Sequence, residues 1–117
     1  RGEIPIYEPG LKDLMEKNVK GGRLRFSTDT QEAILNSLVI FLAVGTPSNN
    51  DGSADLTHLF EAVEYIAHNL DGYKLIAIKS TVPVGTAQKV REIIASRVNG
   101  ISFDVVSNPE FLREGSA

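Results

Sequence analysis

Residues 38–44, LVIFLAV, form an unbroken apolar run, and the polar loop 45–53, GTPSNNDGS, follows at once. An apolar run of strand length that contains β-branched side chains is typical of a strand covered on both faces of a parallel sheet. We therefore expect a strand at Leu38–Val44. Gly45 begins the loop after it and would let a ligand approach the backbone closely.

Amphipathic helices and apolar strands alternate after this loop. Asp55 is placed to cap a helix with apolar residues at three- and four-residue steps, and Thr86 is placed to cap another. The expected elements are a helix from Leu56 to Leu70, a strand at Leu75–Ile78, a helix from Ala87 to Val98 and a strand at Ser102–Ser107. This order predicts an α/β fold in which two right-handed crossovers build a parallel sheet.

The first third of the chain has weaker patterns. Three short elements are expected there: a helix at Pro9–Asn18, a strand at Leu24–Ser27 and a helix at Asp29–Asn36. In the first helix, Leu11, Leu14 and Met15 recur at helical spacing and are expected to point inward.

The composition excludes several classes of function. Hydrophobic residues make up 42% of the chain and charged residues 23%, which is typical of a globular protein. Fifteen acidic against twelve basic residues argue against a nucleic-acid partner, and no apolar run is long enough to span a membrane. The chain has no cysteine and no recognisable metal-binding pattern, so we expect neither a thiol nucleophile nor a metal within these residues.

Three loops follow the three expected strands, at positions 44–48, 80–85 and 107–114. Ligands of open parallel sheets bind beyond the carboxyl ends of the strands, so these loops are the candidate site. They carry hydroxyl side chains suited to ribose, amide or phosphate groups, and the helix after Gly85 would present backbone N–H groups to an anion. From spacing alone, it is equally possible that Thr46 is only a turn residue and Thr86 only a helix cap.

The third loop carries two carboxylates. Glu110 and Glu114 are four residues apart, so on a helix they would share one face. Paired carboxylates beside a crevice can divide acid–base work and recognition of sugar hydroxyls. Stabilisation of a helix N-terminus explains them equally well. The glycine fingerprint G-x-G-x-x-G of dinucleotide-binding domains is absent from the chain.

Four sequence blocks occur in a recognisable order. They are residues 4–11 (IPIYEPGL), 42–47 (LAVGTP), 79–86 (KSTVPVGT) and 107–115 (SNPEFLREG). Together they resemble the UDP-glucose/GDP-mannose dehydrogenase family, and the last two are most similar to its UDP-glucose 6-dehydrogenase branch. The resemblance implies a Rossmann-like, doubly wound parallel sheet. It also implies that residues 1–117 are part of an NAD-binding domain, with the first βαβ unit, a central helix and a second domain lying outside this sequence.

The resemblance implies residue roles as well. Val44, Thr46, Ser80 and Thr81 would line the NAD site, with Glu114 near the nicotinamide. Glu110 would be the catalytic residue, taking part in acid–base and water-handling steps. The substrate-binding residues would be Glu110, Phe111, Leu112, Arg113 and Glu114.

The family oxidises the primary alcohol of a nucleotide sugar twice, using two NAD+ and trapping the aldehyde on a cysteine. No cysteine is present here, so the resemblance implies that this chain alone is inactive. It further implies a cytoplasmic homodimer or higher homo-oligomer that supplies polysaccharide biosynthesis. Two alternatives stay open: a non-catalytic α/β nucleotide-binding module, and an enzyme similar to 3-hydroxyacid dehydrogenases.

Overall fold

The computed structural model describes residues 8–109 of the chain. By its internal contacts the chain divides into two compact units, Arg1–Thr30 and Gln31–Ala117. Within the described residues, no helix has the length and apolar character needed to cross a membrane.

The first unit contains helix α1, Leu11–Lys20, which begins after Gly10 in the left-handed conformation (φ 81°). The expected helix is confirmed, but none of its residues is buried and Leu14 is 58% exposed, so the inward orientation of Leu14 is wrong. The strand predicted at residues 24–27 is also wrong, because the structure has no strand there. A strand needs a partner backbone, and no described residue forms a ladder with this segment.

The second unit holds the predicted α/β fold. Its elements in chain order are α2 (Thr30–Leu35, starting at the unit boundary), β1 (Val39–Leu42), α3 (Thr57–His68), β2 (Lys74–Ile78), α4 (Thr86–Arg97) and β3 (Phe103–Ser107). The strands form one parallel sheet in the order β1-β2-β3. The predicted helices and strands of residues 29–107 are therefore confirmed to within a few residues at their ends. The strands end level with one another, since Leu42 pairs with Ile78 and Ile78 with Ser107.

One face of this sheet packs against helices α3 and α4. The buried residues that join sheet and helices are Leu42, Ile76, Ile78 and Val105 from the strands, Leu59, Val63 and Ile66 from α3, and Val90 and Ile94 from α4. Because side chains alternate along a strand, Val39 and Phe41 of β1 point to the opposite face, whereas Ile40 packs against the core with Leu42. There Val39 is 41% and Phe41 60% exposed, so the expectation that both faces of β1 are covered is wrong. The two successive crossovers carry α3 and α4 to the same face of the sheet.

Helix α3 begins where the sequence predicts. The Asp55 carboxylate accepts hydrogen bonds from the backbone N–H of Thr57 (3.0 Å) and from its hydroxyl (2.6 Å). These bonds favour the ionised form and lower the pKa of Asp55. Leu56, and not Asp55 as predicted, holds the N-cap position and makes no side-chain cap bond. Asp55 instead stabilises the start of α3 from one residue earlier, through its bonds to Thr57. Near the other end of α3, Glu64 accepts two hydrogen bonds from the Arg97 guanidinium, at 2.8 and 2.9 Å, which join α3 to α4.

Candidate functional site

The carboxyl ends of the three strands meet at one edge of the sheet, as expected for a candidate site. Hydrogen bonds continue past the strands: the Lys79 N–H donates to the Leu42 carbonyl (2.8 Å), and the Asn108 N–H donates to the Ile78 carbonyl (2.8 Å). The loops that follow β1, β2 and β3 therefore start side by side. We call this edge the rim, meaning residues 43–48, 79–85 and 108–109.

The first two loops are joined by side-chain hydroxyl groups. Thr46 Oγ1 donates to the backbone carbonyl of Thr81 (3.1 Å), and Ser80 Oγ donates to the carbonyl of Val44 (2.7 Å). The four residues predicted from the first two loops to bind a cofactor thus lie in direct contact. The alternative that Thr46 serves only its own turn is wrong, because its bond crosses to the other loop.

These four residues differ in exposure. Ser80 is only 8% exposed, Val44 and Thr46 are half-buried, and Thr81 is exposed. The Thr81 hydroxyl makes no hydrogen bond within residues 8–109. A Cβ added at Gly45 would meet no atom within 4 Å, so space beside that backbone is open. Since none of the four side chains is ionisable, this part of the rim offers neutral donors and acceptors.

Helix α4 begins beside this cluster. Gly85 precedes it in the left-handed conformation (φ 93°), and no side chain caps its N-terminus. The prediction that Thr86 caps α4 is wrong: Thr86 is its first residue, is 5% exposed, and donates its hydroxyl backward to the Pro83 carbonyl (2.7 Å). In the first turn the Thr86 N–H donates to the Pro83 carbonyl (3.2 Å) and the Lys89 N–H to the Gly85 carbonyl (3.1 Å). The N–H groups of Ala87 and Gln88 keep their capacity to bind an anion.

One rim residue escaped the sequence reasoning. Val84 stands between Pro83 and Gly85 and is 106% exposed, so its whole side chain faces solvent. An apolar side chain held out by a stiff loop can contact the flat face of a ligand ring. Val82, two residues earlier in the same loop, packs against the core, whereas Val84 points into solvent.

The third loop is described only to its start. Ser107 ends β3 in register with Ile78 and is exposed. The predicted catalytic residue Glu110 and the predicted substrate-binding residues 110–114 lie outside the described residues. Their roles stay predictions.

Other candidate residues serve local structure. His58 contacts Glu61 (3.2 Å) and His68 contacts the Glu64 carbonyl (2.9 Å), both on the exposed side of α3. Asp51 accepts hydrogen bonds from the hydroxyl and N–H of Ser53, which lower its pKa. The part of the chain that the structure describes contains no cluster of three or more potential metal ligands.

The first unit contains an open groove of about 300 Å³. It is lined by Leu11, Leu14, Met15, Asn18, Arg23 and Leu24. None of these residues was predicted to bind a ligand. Arg23 Nε donates to Asn18 Oδ1 (2.8 Å), and this bond fixes the guanidinium at the C-terminus of α1.

The sequence as a whole matches the model of the UDP-glucose/GDP-mannose dehydrogenase family, NAD binding domain, over residues 1–117. The chain belongs to this family. The family prediction from the four sequence blocks is therefore confirmed, and the matched domain confirms NAD as the cofactor. Membership favours the dehydrogenase interpretation over the two alternatives left open by the sequence.

Relatives of this chain agree with the predicted branch. It is 57% identical over 117 residues to the UDP-glucose 6-dehydrogenase TuaD of Bacillus subtilis, covering 99% of this chain and 25% of the relative. It is 51% identical over 118 residues to the UDP-glucose 6-dehydrogenase of Rhizobium meliloti, covering 100% and 27%. The chain thus spans about a quarter of the length of the curated relatives it matches.

Solved structures of the same family share the fold. A UDP-glucose dehydrogenase from the hyperthermophilic archaeon Pyrobaculum islandicum superposes with a TM-score of 0.87 at 42% identity, covering 99% of this chain and 28% of that one. A ternary complex of GDP-mannose dehydrogenase from Pseudomonas aeruginosa gives 0.84 at 37% identity, covering 97% and 28%. The three parallel strands of this chain thus belong to a Rossmann-like sheet, as predicted.

Proposed function

We propose that the protein containing this chain is an NAD-dependent UDP-glucose 6-dehydrogenase that oxidises UDP-glucose to UDP-glucuronate. The observation that carries the proposal is the meeting of Val44, Thr46, Ser80 and Thr81 at the carboxyl edge of a parallel sheet, in a member of this family. This edge is where dinucleotides bind in open α/β sheets.

The residues present fit one side of a dinucleotide. Thr81 brings an exposed hydroxyl for a ribose or amide group, and the open space at Gly45 permits close approach to the backbone. The uncapped N-terminus of α4 suits the negative charge of a pyrophosphate. When bound, NAD+ supplies the hydride acceptor, and the residues of this chain hold and orient it.

The sugar would lie beside the third loop. Glu110 is proposed to move protons and handle water during oxidation of the sugar alcohol, a role suited to a carboxylate near a crevice. Residues 110–114 are proposed to bind the nucleotide sugar, with Glu114 also near the nicotinamide. These roles rest on the family resemblance of the block SNPEFLREG at residues 107–115.

The biological setting follows from the proposed product. Oxidation of a sugar alcohol to a carboxylate yields an acidic sugar donor suited to polysaccharide biosynthesis. We propose a cytoplasmic enzyme, because its substrates are soluble and charged, that works as a homodimer or higher homo-oligomer. Family resemblance is the support for the location and the oligomer.

Turnover of the full-length protein with UDP-glucose and NAD+ tests the proposal. We expect two NADH per UDP-glucose consumed, followed by absorbance, and much less NADH with GDP-mannose. Glu110→Gln should lower kcat by about 10²- to 10⁴-fold with little change in folding, because loss of a general acid–base group has effects of this size. The control is Glu92→Gln, which alters an exposed carboxylate on α4.

Two results would count against these assignments. Absence of NADH formation with any nucleotide sugar would overturn the proposed reaction. Parental turnover in Glu110→Gln would remove Glu110 from the catalytic role while leaving the reaction itself in place.

A further inference from the structure

The hydroxyl groups of Thr46, Ser80 and Thr81, where the first two loops of the rim meet, are not equivalent. Thr46 and Ser80 each donate to a backbone carbonyl of the other loop, whereas the Thr81 hydroxyl has no hydrogen-bond partner among the described residues. A hydroxyl has a single proton to donate. Two of the three hydroxyl groups have therefore already used their donor on the protein itself.

The bond made by Ser80 is short and sheltered. Its Oγ lies 2.7 Å from the Val44 carbonyl oxygen, which is the usual distance for such a bond, and the residue is 8% exposed. Releasing the proton to a ligand would leave a sheltered carbonyl without its donor, which is unfavourable. Ser80 is thus poorly placed to donate to a cofactor.

The position of these bonds indicates what they do. The backbone ladder between β1 and β2 ends where Lys79 and Ser80 donate their N–H groups to the Leu42 carbonyl, at 2.8 and 3.3 Å. Beyond that point the two loops are joined by the two hydroxyl bonds, first at Val44 and then at Thr46. Since Pro47 has no N–H to contribute, side chains are well suited to extend the pairing there.

We propose that Ser80, assisted by Thr46, is a positioning residue that fastens the loop 44–47 to the loop after β2, and that Thr81 is the hydroxyl that contacts NAD. This inference rests on the proposed function for its second half. The fastening itself is a property of the protein without cofactor and can be measured separately.

Hydrogen exchange of the full-length protein without NAD+ measures the fastening. One reporter is the Lys79 N–H, which donates to the Leu42 carbonyl at the end of β1. The other is the Asp55 N–H, which donates to the Pro47 carbonyl in the first loop. The Asn108 N–H, bonded to the Ile78 carbonyl on the other side of β2, serves as an internal control. All three amides lie close to the rim.

Ser80→Ala and Thr46→Val each remove one hydroxyl bond. We expect both reporter amides to exchange about 2- to 10-fold faster in either variant. This factor corresponds to the net contribution of about one neutral hydrogen bond to stability. The Asn108 amide should not change. Thr46→Ser keeps the donor and should restore the parental exchange rate.

Thr81→Val is the matched variant for the contact role. It should leave the reporter amides unchanged in the absence of cofactor and weaken NAD+ binding about 2- to 10-fold, measured by titration calorimetry. Ser80→Ala should also weaken NAD+ binding, but together with the faster exchange. If Ser80→Ala fails to fold, Thr46→Val tests the same fastening.

The outcomes separate the two ideas. Weaker NAD+ binding in Ser80→Ala with parental exchange would mean that Ser80 contacts the cofactor directly, and would overturn the inference. Parental exchange and parental affinity in both Ser80→Ala and Thr46→Val would overturn it as well. Faster exchange in the two variants, together with a parent protein that binds no NAD+, would support the fastening and overturn the proposed function.

Discussion

Replacement of Ile94 by alanine tests the packing that holds helix α4 and its N-terminus at the site. Ile94 is fully buried against the sheet, and the change removes three carbon atoms. At about 0.8 kcal/mol per buried carbon, the transfer loss is about 2.4 kcal/mol. The cavity left behind adds to this loss, while the better helix propensity of alanine recovers about 0.4 kcal/mol. We expect a total loss of about 3 kcal/mol in the free energy of unfolding.

Urea denaturation followed by circular dichroism measures this loss. With a slope of about 1.5 kcal/mol per M, the midpoint should fall by about 2 M. Ile93→Ala is the matched control, because Ile93 is the same residue type in the same helix but only half-buried. We expect Ile93→Ala to lose about 1 kcal/mol. Equal losses in the two variants would refute the assigned orientation of α4.

Two further predictions concern single hydrogen bonds. Thr86→Val removes the hydroxyl bond to the Pro83 carbonyl, but that carbonyl keeps the Thr86 N–H (3.2 Å) as a donor. The free energy of unfolding should therefore fall by only about 0.5–1 kcal/mol, and a loss above about 3 kcal/mol in urea titrations would contradict this. The Tyr73 hydroxyl donates to Asp104 (2.5 Å), which raises the pKa of Tyr73 above its ordinary 10.0. The stabilising effect of this bond should therefore be complete below pH 10 and disappear as pH rises through the higher folded-state pKa of Tyr73. The melting temperatures of the parent and Tyr73→Phe should thus converge at alkaline pH. A difference that stays constant with pH would oppose this assignment.

Much of the fold was predictable because the signals are local. The apolar run at 38–44 and the helical spacing from Leu56 to Leu70 each report on burial of nearby residues, and together they predict a parallel sheet. The same run could not predict that Phe41 is exposed, because that depends on where distant segments pack. The strand wrongly expected at residues 24–27 failed for a similar reason, since pairing is decided by a partner backbone and not by four residues alone.

The candidate site was predictable to the level of loops and residue types. Parallel strands must end at one edge, which brings Thr46 and Thr81 together without knowledge of any distance. Which hydroxyl donates to which carbonyl was not predictable, because a shift of about an ångström changes the partner. The wrong cap at Thr86 illustrates this: its hydroxyl lies near both the start of α4 and the Pro83 carbonyl, and only the geometry selects the carbonyl.

The register of the sheet has a consequence for how the chain folds. Val39 pairs with Leu75, 36 positions later, and Lys74 pairs with Phe103, 29 positions later. Because loop-closure entropy grows only with the logarithm of length, these two spans differ by only about 0.2 kcal/mol in the cost of closure. Neither strand pair has an entropic advantage over the other. The order of assembly should therefore follow synthesis, because the segment from β1 to β2 is made before β3.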